Sequence, residues 1–133
     1  MASNQPFPVS LVIHGHFYQP PRENPFFDEV ETEPSAAPYH DWNERITEEC
    51  YDPITRVEVA GDDGAPQVVN VLEHLSFDVG PTLLSWLEAH RPDVYDRFLE
   101  ADRRTARAIA QGYGHAILPL SSDRDLPTQV RGG

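Results

Sequence analysis

The chain has 133 residues, with ten basic side chains (all Arg) against 22 acidic ones, a formal net charge of −12 and one cysteine. That length suffices for one domain with a core, and is about half of the roughly 250 residues of a closed (β/α) barrel. The charge argues against nucleic acid or another polyanion as partner. Lone Cys50 excludes an internal disulfide, and no stretch reaches the roughly 20 apolar residues of a membrane span.

Met1–Pro8 reads as a polar lead-in without the basic start and apolar run of a secretory signal. Together with the single cysteine, this makes the cytoplasm the expected compartment. Leu11, Val12 and Ile13 form a short, partly β-branched run, which predicts a buried strand over about residues 9–14. The run ends in His14-Gly15-His16, then Phe17-Tyr18-Gln19 and two prolines. In parallel α/β folds ligands sit beyond the carboxyl ends of the strands, so this exit is a candidate site.

Residues 20–38 hold five prolines and five acidic residues, predicting a long irregular loop. Asp41 to Tyr51 reads as a helix capped by Asp41, with Glu44 as capping-box partner. Trp42, Ile46 and Cys50 share one face of it, which makes Cys50 a buried, inert thiol. Ile54–Ala60 and Gln67–Leu72 flank the turn cluster Gly61-Asp62-Asp63-Gly64-Ala65-Pro66 and predict a hairpin.

Leu75–Val79 predicts a second barrel-type strand. Pro81 and Pro92 each stand at the first position of a helix. Leu83, Leu84 and Leu87 give the first its buried stripe, with Trp86 on the flank. Val94, Tyr95, Phe98 and Leu99 repeat the pattern to about Arg104. A third short strand is expected to end near Tyr113, with His115 at its exit. The order of elements is that of an α/β fold with excursions between its early strands.

His14 and His16, two apart on a strand, put both rings on one face. The spacing alone reads as sugar binding, as metal ligation or as two structural histidines. Tyr18, Tyr39, His40 and Trp42 are flat side chains able to stack on a sugar ring or to pin the loop. Arg22 and Glu23 read as partners for each other or for neighbours. Asp78, before a Gly-Pro helix start, caps the helix or reaches the cleft. His115, beside two glycines, reads as a site residue. No Ser/His/Asp order, phosphate-binding Gly loop or Cys-x-x-Cys is present.

Four blocks occur in order: IHGHFYQPPRENP, then HDWNERI followed by ECY, then LSFDVGPTLLSWLE, then GHAILPL. Together they resemble the N-terminal part of family 57 glycoside hydrolases, in the amylase-like branch, over about residues 9–131. The resemblance implies that residues 1–133 are the N-terminal portion of a catalytic domain, an incomplete (β/α)7 barrel with a long Pro-rich loop and a hairpin excursion. It implies an α-glucan or maltooligosaccharide as partner, hydrolysed or transferred with retention of configuration. It implies neither cofactor nor metal. A Glu nucleophile and an Asp acid/base about 5 Å apart are required for retention. Both are expected beyond Gly133, which leaves no catalytic residue within the chain.

His14, His16, Gln19 and His115 match positions lining the sugar cleft. Tyr18 and Trp42 are expected to form its walls, and Asp78 lies in a matching block. The chain departs from the branch in carrying Asp78 where Asn is usual, and Gly112 and Gly114 where Pro and Asn are usual. Two rival readings remain at this stage. One is a metal-dependent barrel hydrolase or deacetylase with His14 and His16 as ligands. The other is a non-catalytic glucan-binding remnant, prone to self-association through open strand edges. The oligomeric state and the glucan linkage are left open.

Overall fold

The structure is a computed structural model that describes residues 9–132; the lead-in at 1–8 lies outside them. It is mixed α/β with small sheets and no closed barrel. Strand β1 (His14–Phe17) pairs in parallel with β4 (Ser76–Val79), His14 opposite Ser76 and His16 opposite Asp78. Between them come the long loop, a helical segment and an antiparallel hairpin. The helical segment runs through α1 (Trp42–Ile46), a π-helical turn (Thr47–Tyr51) and α2 (Asp52–Ile54). The hairpin consists of β2 (Val57–Ala60) and β3 (Pro66–Val69). After β4 follow α3 (Pro81–His90), α4 (Pro92–Thr105) and the short α5 (Leu126–Gly132).

The β1–β4 pair has two unlike faces because successive side chains alternate. Phe17 and Phe77 point into the core; His14, His16, Ser76 and Asp78 lie on the opposite face. Phe98 of α4 is the hub of the core, 5.3 Å from the Phe17 ring and 6.2 Å from that of Phe77, both edge-on. Tyr51 joins this group edge-to-face with Phe17 at 5.8 Å. Such pairs favour the electrostatics of ring edges against ring faces. Leu83, Trp86 and Leu87 from α3, with Val94 and Ala101 from α4, complete the cluster. Leu83 and Leu87 thus bury the expected stripe, and Trp86 is core. Burial of each large side chain contributes roughly 1.5–3 kcal/mol.

The local signals for the helices act as expected. Pro81 and Pro92 each sit in the first turn, where their missing N–H costs nothing. Ala106 closes α4 in the left-handed region (φ 51°), its N–H on the Asp102 carbonyl. At α1, Asp41 accepts the Glu44 N–H, while the Glu44 carboxylate accepts from the His40 N–H. That is a capping box displaced by one residue on its return arm.

The structure corrects three expectations. The apolar run Val9–Ile13 is not a buried strand: β1 starts at His14, and Leu11 and Val12 are 86% and 81% exposed. The core lies under Phe17 and Phe77, so residues upstream of Ile13 extend past its edge. Cys50 is exposed. The inward face is offset by one residue from the expected one, with Asn43, Thr47 and Tyr51 buried; of the expected set, Ile46 is partly buried against the core, whereas Cys50 lies outside it. The expected third strand is a single parallel bridge between Ala108 and Phe77. After Ile109 the backbone leaves the ladder, and the Tyr113 N–H goes to the Gln129 carbonyl instead.

Candidate functional site

The face of the β1–β4 pair turned away from Phe98 carries four polar side chains in two rows. His14 and His16 alternate on β1, Ser76 and Asp78 on β4, and the parallel register sets the rows side by side. Asp78 is the centre. Its Oδ1 accepts from His14 Nε2 at 2.9 Å and its Oδ2 from His16 Nδ1 at 2.7 Å. The carboxylate is largely buried, with 11% side-chain exposure, whereas the imidazoles are 41% and 48% exposed. A buried carboxylate thus orients two rings that remain open to solvent. His14 Nδ1 also meets Ser76 Oγ at 3.0 Å, so both of its ring nitrogens are engaged.

His115 arrives from the far end of the chain. Its Nε2 lies 2.8 Å from His16 Nε2, and its ring centroid 4.3 Å from that of Tyr18. Its backbone is left-handed (φ 56°), which a histidine tolerates better than most residues but at a cost. The loop is fastened by Gln129 of α5, whose Oε1 accepts the Gly114 N–H at 2.7 Å. Tyr18 stacks nearly parallel to His16, 15° between planes at 6.4 Å. His14, His16, Tyr18, Asp78 and His115 therefore form one patch, on the sheet face as well as at the strand exits.

Gln19 leads from that patch into a second network. Its Nε2 donates to Tyr51 Oη at 3.0 Å, its Oε1 accepts from Arg22 Nη2 at 3.1 Å, and its carbonyl accepts from Thr82 Oγ1 at 2.6 Å. Arg22 reaches on to Asn43 and Glu33. Burial lifts the Tyr51 phenol above its ordinary value, against the opposing hydrogen bond from Gln19. Trp42 has its contacts elsewhere, with Ser35 Oγ at 2.9 Å, the Glu33 carboxylate and the Arg45 guanidinium 4.9 Å above its ring. Asp78 turns to His14 and His16 and does not cap α3, which has no side-chain cap.

Sequence reasoning did not single out Ser76, Tyr51 or Thr82. One signal was available: Ser76 and Asp78 are polar at i and i+2 on a strand whose other residues are apolar, matching His14 and His16 in spacing. Arg22 was read as a partner for neighbours, which is what it is.

A cavity of about 520 Å³ lies away from this patch and is lined by six carboxylates together with Trp86 and His90. Several of its acids are occupied structurally: Asp41 caps α1, Glu44 holds the His40 N–H, and Glu48 pairs with Arg91. It lacks groups that converge on one point. Among the described residues, no group of three or more His, Cys, Asp or Glu side chains is arranged to hold a metal ion, and no helix is long and apolar enough to cross a membrane.

The chain matches no protein-family model, no curated protein and no solved structure.

Proposed function

We propose that this chain carries part of the sugar-binding cleft of a retaining, α-glucan-active glycoside hydrolase or 4-α-glucanotransferase. The observation that carries the reading is the convergence of His115 and Tyr18 on the His16 ring, which Asp78 holds from the other side. A sugar needs directed hydrogen bonds for its hydroxyls and a flat apolar surface for its C–H face. The patch offers imidazole nitrogens for the first and the Tyr18 ring for the second. The four ordered sequence blocks support the same assignment independently.

In this reading the residues of the patch bind and orient the sugar, and retention further requires a carboxylate nucleophile and an acid/base about 5 Å apart. Gln19 is held from three sides by Tyr51, Arg22 and Thr82, which fixes the loop that enters the cleft. Holding such groups rigidly before the ligand arrives reduces the ordering cost of binding. The domain as a whole belongs to an incomplete (β/α)7 barrel, with β1, β4 and the Ala108 bridge as its first three parallel strands.

Calorimetric titration of the 133-residue chain with maltoheptaose and with cellopentaose tests the assignment. The α-linked oligosaccharide is expected to bind and the β-linked one not. Tyr18→Ala is expected to weaken maltoheptaose binding by about tenfold, the loss of one stacking surface. Equal binding of both sugars, or of neither, contradicts it.

A further inference from the structure

We propose that Asp78 is a positioning residue that makes His16 Nε2 a hydrogen-bond acceptor towards the cleft, and that His115 occupies this acceptor as a stand-in for a ligand hydroxyl. The proposal deepens the carbohydrate reading and rests on it for its second half. Its first half, the direction of the hydrogen bonds, holds without any ligand.

The argument is one of counting protons. An ionised carboxylate can only accept. Both Asp78 oxygens are met by ring nitrogens, Oδ1 by His14 Nε2 at 2.9 Å and Oδ2 by His16 Nδ1 at 2.7 Å. Each contact therefore consumes a ring proton. A neutral imidazole has one. Once His16 has placed its proton on Nδ1, its Nε2 keeps a lone pair. His115 Nε2, 2.8 Å away, must then donate. The chain of hydrogen bonds runs from His115 to His16 to Asp78.

The three histidines consequently have different roles. His14 has both nitrogens committed, to Asp78 and to Ser76, and braces the carboxylate. His16 presents its Nε2 lone pair on the side away from Asp78. His115 supplies a donor to it and lays its ring 4.3 Å from Tyr18, tilted by 37°, on a left-handed backbone. A pyranose has the same two features, a hydroxyl donor at its rim and a flat face. A sugar that displaces the His115 ring replaces both contacts, and its hydroxyl must point its proton at His16.

Asparagine at position 78 offers one acceptor and one donor in the same shape. It cannot serve two N–H groups, so one imidazole must turn a lone pair to the amide and move its proton to the other nitrogen. If Asp78 did not accept from both rings, no such exchange would follow.

Long-range nitrogen–proton correlation spectra of the whole chain, at about pH 8 where free imidazoles are neutral, read the tautomers directly. The expected result is His16 protonated on Nδ1 and bare on Nε2, with His14 or His16 exchanging tautomer in Asp78→Asn. A bare Nδ1 on His16, a doubly protonated His16, or no exchange in the folded variant overturns the assignment. Should the variant not fold, the parent spectrum decides alone. For the second half, His115→Ala is expected to leave the His16 tautomer in place and to tighten maltoheptaose binding by about fivefold, the release of one hydrogen bond. Weaker or unchanged binding in that variant makes His115 a wall instead of a stand-in. If the parent chain binds no maltoheptaose while the tautomers are as described, the carbohydrate reading and the stand-in fall and the Asp78 assignment stands.

Discussion

The ring of Tyr18 fills the space that a side chain on Gly80 would need: a Cβ built there lies 2.7 Å from Tyr18 Cδ2. Gly80 has an ordinary negative φ (−62°), so its requirement is room. It stands where β4 passes into α3, and its N–H bonds to the Phe17 carbonyl at 2.8 Å. Backbone and aromatic ring are thereby fitted to each other beside the imidazole patch.

Gly80→Ala is expected to push Tyr18 off His16 and His115. Overpacking of this kind costs about 1–3 kcal/mol. Thermal unfolding should show a folded, moderately destabilised protein whose maltoheptaose affinity falls with it. Unaltered affinity would mean that Tyr18 is not part of the binding surface.

Asp52 is the buried junction between the helical segment and α4. It is 2% exposed and accepts from Arg56, from Arg91 at 3.1 Å and from Arg97 at 2.7 Å. Removing the carboxylate leaves guanidinium groups without their common partner. Asp52→Ala should destabilise by about 3 kcal/mol, the lower end for a broken buried pair because the arginines are partly exposed. The urea midpoint measures it, and a change under about 1 kcal/mol would place the network among ordinary surface pairs.

Asp93 supplies an acid-sensitive contribution. The hydrogen bond from Arg91 is the largest influence on its carboxyl, opposed by partial desolvation and reinforced by Arg97, and holds it down at about 2 against an ordinary 3.8. Because the folded value is the depressed one, the contribution is present above 3.8 and is lost as the pH falls through about 2. Asp93→Asn should therefore flatten the fall in urea midpoint across that interval. Identical acid profiles for variant and parent would contradict the assignment.

How far the sequence could be read depended on whether a signal was local. The hairpin, β4, α3 and α4 were legible because turn residues, Pro at the first helical position and the Leu83/Leu87 stripe act within a few residues. The first strand was misplaced because apolarity marks what can be buried, and Val9–Ile13 finds nothing to cover it. The face of the α1 segment was offset by one residue because two of its buried positions, Asn43 and Thr47, are polar, and an apolar pattern does not mark them. In the site, the common face of His14 and His16 was legible from their spacing. Their common partner was not, since Asp78 joins them only through a strand register spanning more than sixty residues. His115 was identifiable by its glycine neighbours, but its contact with His16 depends on α5 through Gln129.

The exposed run Leu11-Val12-Ile13 adjoins the edge of β1 that is unpaired among the described residues. Open edges and apolar surface favour association, while the net charge of −12 opposes it. Sedimentation should show concentration-dependent self-association that strengthens with salt, as screening removes the repulsion. A monodisperse monomer in both low and high salt would count against it.

The most direct test of the central claim is an amide and side-chain chemical-shift titration of the 133-residue chain with maltoheptaose. The account predicts that perturbations concentrate on His16, Tyr18, Gln19, Asp78 and His115 and saturate together. Shifts confined to the acidic hollow around Glu44 and Trp86, or no saturable shift at the imidazole patch, would contradict it.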